Sequence, residues 1–205
     1  MKIWGRQNSS NVRKVLWCAE EIGLSYERLD AGGAFGVVDT PDYRALNPNG
    51  RVPTLQDGDL TLWESNTIVR YLAKRYGAEP FAPQDPALWA TAEKWMDWSA
   101  TTFAGPFRDV FWNVVRMTPE TRDESAMVKG LAECTRLLAI PDAQLGETPF
   151  LSGQACGFGD IPLGSVAYAW FEMPIARPDL PHLAAWYERL KERPAYQTAV
   201  MTPLT

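Results

Sequence analysis

Ser9, Ser10 and Asn11 stand side by side where a short apolar strand runs into a helix, in "GRQNSSNVRKVLW". The free amides and partial positive charge of a helix N-terminus favour an anion there, a thiolate included. One hydroxyl is enough to cap a helix, so two invite a division of labour in which one serine caps and the other meets a ligand. A second stretch, "NPNGRVPTL" at residues 47–55, places Pro53 at the head of a strand. Proline cannot donate to a sheet ladder, so it marks an edge strand, a bulge or a cis peptide bond. A cis bond would turn the backbone of Val52 outward as a free peptide-binding edge. In the third stretch, "WESNTIVRYL" at residues 63–72, Glu64 and Ser65 open another helix. That pair suits an amino-acid head group: the hydroxyl and the following amides take a carboxylate, and Glu64 takes an ammonium. Each stretch also has a plain structural reading, as a capped helix or an edge-strand proline. None decides alone.

The elements that must position these residues follow from periodicity. "KIWG" is a short strand, and Val12, Val15, Leu16 and Ala19 form one helical stripe that ends at Gly23. "LSYERLD" reads as a second strand, and "VPTLQDGDLTLWE" as a hairpin with its positive-φ turn at Asp57-Gly58. Ser65 then caps a helix carrying Ile68, Val69 and Leu72, closed at Gly77. The order is β-α-β, a loose segment, then β-β-α, which predicts a small mixed sheet covered by helices. Residues 78–86, rich in proline and acids and preceded by Gly77, form a linker, and residues 87–205 are helical throughout. Within them Trp95, Trp98, Phe103, Phe107 and Phe111 recur at helical spacing, a stripe that reads first as core. Pro106 predicts a kink there, and Pro141 predicts a bend or early end in the helix over 122–145.

Composition removes several function classes. A net charge of −5 argues against a nucleic-acid partner, and no apolar run is long enough to span a membrane. The N-terminus lacks a signal-peptide pattern. Cys18, Cys134 and Cys156 are widely spaced with no CxxC pair, so they read as reduced thiols of a cytoplasmic protein. His182 is the only histidine, which leaves little room for His-based triads or zinc sites, and no metal is expected.

The serine after strand one, "NPNGRVPTL", "ESNTIVRYL" and "GFGDI" in the helical half together resemble the cytosolic glutathione transferases, over essentially the whole chain. The likeness is to the serine-using bacterial and theta-like branches. It implies an α/β thioredoxin-like N-terminal domain (βαβ-ββα) over residues 1–77 and an all-α C-terminal domain over 87–205. It implies glutathione as co-substrate, a largely apolar electrophile as second substrate, and a homodimer. By position in the motifs, Ser9 would be the catalytic hydroxyl. Ser9, Asn11, Arg51, Val52, Pro53, Glu64 and Ser65 would bind glutathione, and Ser10, Phe107 and Phe111 would line the electrophile pocket. Ser10 or Asn11 would then cap the helix. The same scaffold also serves glutathione-dependent isomerases, dehalogenases and non-catalytic assembly modules. Two positions depart from the pattern. Gly157 replaces a capping hydroxyl, leaving Asp160 to bond back to the Gly157 amide. Gly50 stands where some relatives carry histidine, which leaves Arg51 as its replacement. Residues 9–12 hold no cysteine, which argues against disulfide exchange.

Overall fold

A computed structural model describes residues 1–205. In the first half, β1 (Lys2–Trp4), α1 (Ser10–Glu21), β2 (Glu27–Leu29), α2 (Pro41–Leu46), β3 (Thr54–Asp57), β4 (Leu60–Trp63) and α3 (Ser65–Tyr76) follow in order. The sheet runs β2-β1-β3-β4, with β1 parallel to β2 and β3 antiparallel to both its neighbours. The second half is helical: α4 (Pro86–Trp98), α5 (Ala104–Phe111), α6 (Glu124–Glu147), α7 (Ile161–Glu172), α8 (Pro181–Lys191) and α9 (Pro194–Ala199).

α1 is the pivot of the molecule. Its predicted stripe of Val12, Val15, Leu16 and Ala19 is buried, together with Cys18, whose Sγ lies 3.9 Å from the Val69 carbonyl of α3, but so are Arg13 and Trp17 on its other face. The first face meets α3 and shares a core cluster with Ile3 and Leu55 of the sheet, and the second meets α7 and α9 of the helical half. A Cβ on Gly164 of α7 would fall 2.5 Å from the Trp17 ring, so glycine is what lets these two helices close. Trp17 also meets Tyr196 edge-on at 4.8 Å. One hydrophobic cluster therefore runs through both halves. Phe81 and Ala82, in the stretch read as a linker, are buried in that cluster, and the Phe81 carbonyl accepts from the Phe158 amide at 3.1 Å.

Local structure corrects or adds to the sequence reading at four places. The segment between β2 and β3 is not loose: Thr40 caps α2 by accepting from the Tyr43 amide. The hairpin turn is Gly58-Asp59, with Asp57 paired to Leu60 and Gly58 alone at positive φ. The aromatic helix is interrupted by wider i→i+5 turns at Ser99–Phe103 and Trp112–Arg116, the first lying just before Pro106. α6 runs six residues past Pro141. Packing overrides the missing N–H there: α6 lies along α8, and Asp142 accepts the Leu183 amide at 2.8 Å.

The expected link from Asp160 to the Gly157 amide is present at 3.1 Å. It is one of four bonds. The same fully buried carboxylate accepts the amides of Leu151 (2.8 Å) and Ser152 (3.1 Å) and the indole N–H of Trp186 (2.9 Å). Asp160 thus ties the α6–α7 connection to α8 through a single side chain.

Candidate functional site

Ser9 occupies the N-cap position of α1 with extended backbone (φ −86°, ψ 124°), and its carbonyl accepts the first helical bond from the Arg13 amide at 2.9 Å. Its hydroxyl makes no cap bond. Ser10 is the first helical residue and Asn11 the second, so neither is the cap that was expected of them. The terminus is left with free amides and an uncommitted Ser9 hydroxyl. These face a cleft of about 470 Å³ between the sheet domain and the helices.

The opposite wall of the same end is the 47–54 loop. Val52-Pro53 is a cis bond. Thr54 opens β3, an interior strand, so the edge-strand reading of Pro53 is wrong. Neither the amide nor the carbonyl of Val52 bonds to protein. The loop is held from behind by a buried polar network in which Tyr43 Oη and Asn47 Nδ2 both donate to the Arg51 carbonyl, at 2.7 and 2.8 Å. Both side chains also meet Thr54 Oγ1. Asn47 is thus a scaffold residue, and its network leaves the Arg51 side chain exposed at the cleft. Gly50 takes φ +60°, and a Cβ there would sit 3.1 Å from the Val38 carbonyl.

Glu64 is the N-cap of α3 with φ +72°, and Ser65 is the first helical residue rather than the cap. A non-glycine residue in the left-handed region is strained, and such strain concentrates at ligand sites. The Ser65 hydroxyl donates to Asn11 Oδ1 at 3.3 Å, which joins the start of α3 to the start of α1. Lys14, one turn into α1, is partly buried, and burial pushes its ammonium down to about 8 while the Glu64 charge opposes the shift.

The helical wall carries a column of stacked rings: Trp98, Phe103, Phe107 and Phe111, with successive centroids 5.6–6.0 Å apart. Trp95 and Trp98 serve the core, whereas Phe103, Phe107 and Phe111 reach the cleft. Among the sequence-derived site residues, Ser9, Ser10, Asn11, Arg51, Val52, Phe107 and Phe111 line one cleft. Pro53 is buried beside it, and Glu64 and Ser65 adjoin it through Lys14 and Asn11 without lining it. Sequence reasoning missed Arg6, Arg13, Lys14, Arg108, Trp112 and Arg116, which also line it. Nothing in their local spacing singles them out. Only their convergence does.

The chain matches the family model for the N-terminal domain of glutathione S-transferase over residues 1–74, and that for the C-terminal domain over residues 107–194. It is 44% identical over 205 residues to glutathione S-transferase GstB of Escherichia coli K12, covering 99% of each chain. It is 29% identical to glutathione S-transferase 1 of Zea mays, over 99% of this chain and 98% of that one. The theta class glutathione S-transferase of Xanthomonas axonopodis pv. citri, solved with glutathione bound, superposes with a TM-score of 0.97 at 62% identity, over 100% of this chain and 98% of that one. Matched by both domain models and nearly end to end by these relatives, this chain belongs to the glutathione S-transferase family.

Proposed function

We propose that the chain ionises the thiol of glutathione at the N-terminus of α1 and transfers the sulfur to a small electrophile seated against the helical wall. The observation that carries this reading is the uncommitted Ser9 hydroxyl at an uncapped helix terminus inside the cleft. A hydroxyl that donates to S⁻ favours the ionised form, as do the free amides and dipole of α1. A free thiol titrates near ~8.5, so a drop of about two units makes most of the bound thiol nucleophilic at neutral pH. The thiolate sulfur then forms a C–S bond, and the leaving group departs with the electrons of the broken bond. Catalysis is positioning plus stabilisation of the thiolate.

Residues 1–77 hold glutathione in this reading. The peptide pairs with the free amide and carbonyl of Val52, held in place by Pro53 behind it. The γ-glutamyl end meets Glu64, Ser65 and the first amides of α3, with Asn11 linking the two helix termini. Arg51 faces the glycine carboxylate. Ser10, Phe107 and Phe111 belong to the electrophile side. Calorimetric titration with glutathione tests the assignment: Glu64→Ala and Ser65→Ala each weaken affinity by about 1–3 kcal/mol, because each leaves one end of the head group unpaired. Unchanged affinity in both variants would overturn it.

The assembly we propose is a homodimer. The support is the apolar surface the protomer leaves uncovered: Leu60, Trp63, Tyr76 and Leu88 remain exposed. Sedimentation at micromolar concentration checks this, and a monomer refutes it. No helix is long and apolar enough to cross a membrane. The three cysteines are free and buried, which supports a reducing, cytoplasmic setting.

A further inference from the structure

The charge lining the cleft does not fit an apolar second substrate. Six cations, Arg6, Arg13, Lys14, Arg51, Arg108 and Arg116, line it without a single carboxylate, in a chain whose net charge is −5. Glutathione accounts for part of this. Its two carboxylates and one ammonium sum to −1, and ionising the thiol makes −2. Arg51 and Lys14 lie on the side read above as the glutathione site. Arg13 is spent on the C-terminal tail, donating to Thr202 and Pro203, and Arg108 stands at the rim 3.6 Å from Asp109. Arg6 and Arg116 remain. Neither has a carboxylate partner. Arg6 donates to Asn8 Oδ1 at 2.6 Å, whereas the buried Nε of Arg116 has no hydrogen-bond partner at all.

Arg116 also stands in the right place for a second substrate. It lies on the helical wall, with its guanidinium 5.6 and 5.7 Å from the ring centres of Phe111 and Trp112, next to the aromatic column. Guanidinium does not deprotonate in proteins, so its charge must be met by water or by an anion. Burial, and secondarily the charge of Arg6, push the Arg116 guanidinium below its ordinary value, as expected of a cation that nothing in the protein neutralises. A flat ring bearing a carboxylate satisfies both features at once: the ring packs on Phe107 and Phe111, and the carboxylate pairs with the guanidinium fork.

We propose that the acceptor pocket is built for electrophiles carrying an anionic oxyacid group, a carboxylate foremost, which Arg116 holds with Arg6 in support. This rests on the transferase reading above for the division of the cleft into a glutathione side and an acceptor side.

The test separates the two claims. With S-methylglutathione occupying the glutathione side, 3,5-dinitrobenzoate and 3,5-dinitrobenzamide are titrated by calorimetry. They share a ring and differ in charge, and neither carries a leaving group. The wild type binds the benzoate about tenfold tighter. In Arg116→Gln the two bind alike, Arg116→Lys keeps most of the preference, and Arg6→Gln keeps part of it. Equal binding by the wild type, or a preference that Arg116→Gln leaves intact, overturns the proposal. Turnover of 4-chloro-3,5-dinitrobenzoate and of its amide with glutathione is measured separately. There the C–S bond forms as chloride leaves with the bonding pair. Absence of turnover with both counts against the transferase reading and leaves the anion preference measurable.

Discussion

Replacing Ser9 by alanine raises the pKa of enzyme-bound glutathione by about two units, toward the ~8.5 of a free thiol. At pH 7 the thiolate fraction then drops on the order of 25-fold. The thiolate that remains is the stronger nucleophile, since nucleophilicity rises with pKa, so turnover at pH 7 falls by less, several-fold. Above the new pKa, turnover of the variant recovers. Thiolate absorbs in the ultraviolet, so titrating the complex reads the shift directly. Stability changes little, because the Ser9 hydroxyl makes no cap bond that alanine would remove. Ser10→Ala is the control. Ser10 is the first helical residue and not the cap, so its loss moves neither the thiol pKa nor the stability by much. A shift in Ser10→Ala without one in Ser9→Ala places activation one residue later. No shift in either assigns it to the α1 amides or to Asn11.

The largest effect on stability belongs to Asp160. Asp160→Ala leaves four N–H donors, those of Leu151, Ser152, Gly157 and Trp186, without an acceptor in a dry interior. Each unpaired donor costs about 1–3 kcal/mol, so the sum is about 4 kcal/mol or more even after partial relaxation. That is a large share of the stability of an ordinary domain. Asp160→Asn is nearly as damaging, because one carboxylate oxygen becomes an NH₂ group facing donors. Urea unfolding followed by tryptophan fluorescence measures both, and Trp186→Phe, which withdraws one donor and leaves a small cavity at a fully buried position, gives a smaller loss of about 1–3 kcal/mol. A midpoint for Asp160→Ala close to that of the wild type would show that water, rather than the carboxylate, satisfies those amides.

Much of the molecule was legible along the chain. The stripe of Val12, Val15, Leu16 and Ala19, the β-hairpin, the cis-capable Val52-Pro53 step and the Gly157-to-Asp160 bond are set within a few residues, and local periodicity and turn chemistry report on them. The motifs likewise mark Ser9, Val52, Glu64 and Ser65. Cap register was one or two residues out at α1, where Ser9 takes the place expected of Ser10 or Asn11, and one residue out at α3. Serine has the right chemistry for a cap whether it stands at that position or just after it, and only backbone angles separate the two. Tertiary packing decided the rest. It carried α6 past Pro141, buried the linker at Phe81 and Ala82, and gave Asp160 its three other donors from up to 26 residues away. It also placed Arg116 and Arg6 on one cleft, though 110 positions separate them in the chain. Sequence patterning encodes which face of an element is apolar. Where two like charges meet depends on how those faces dock, and no local window contains that information.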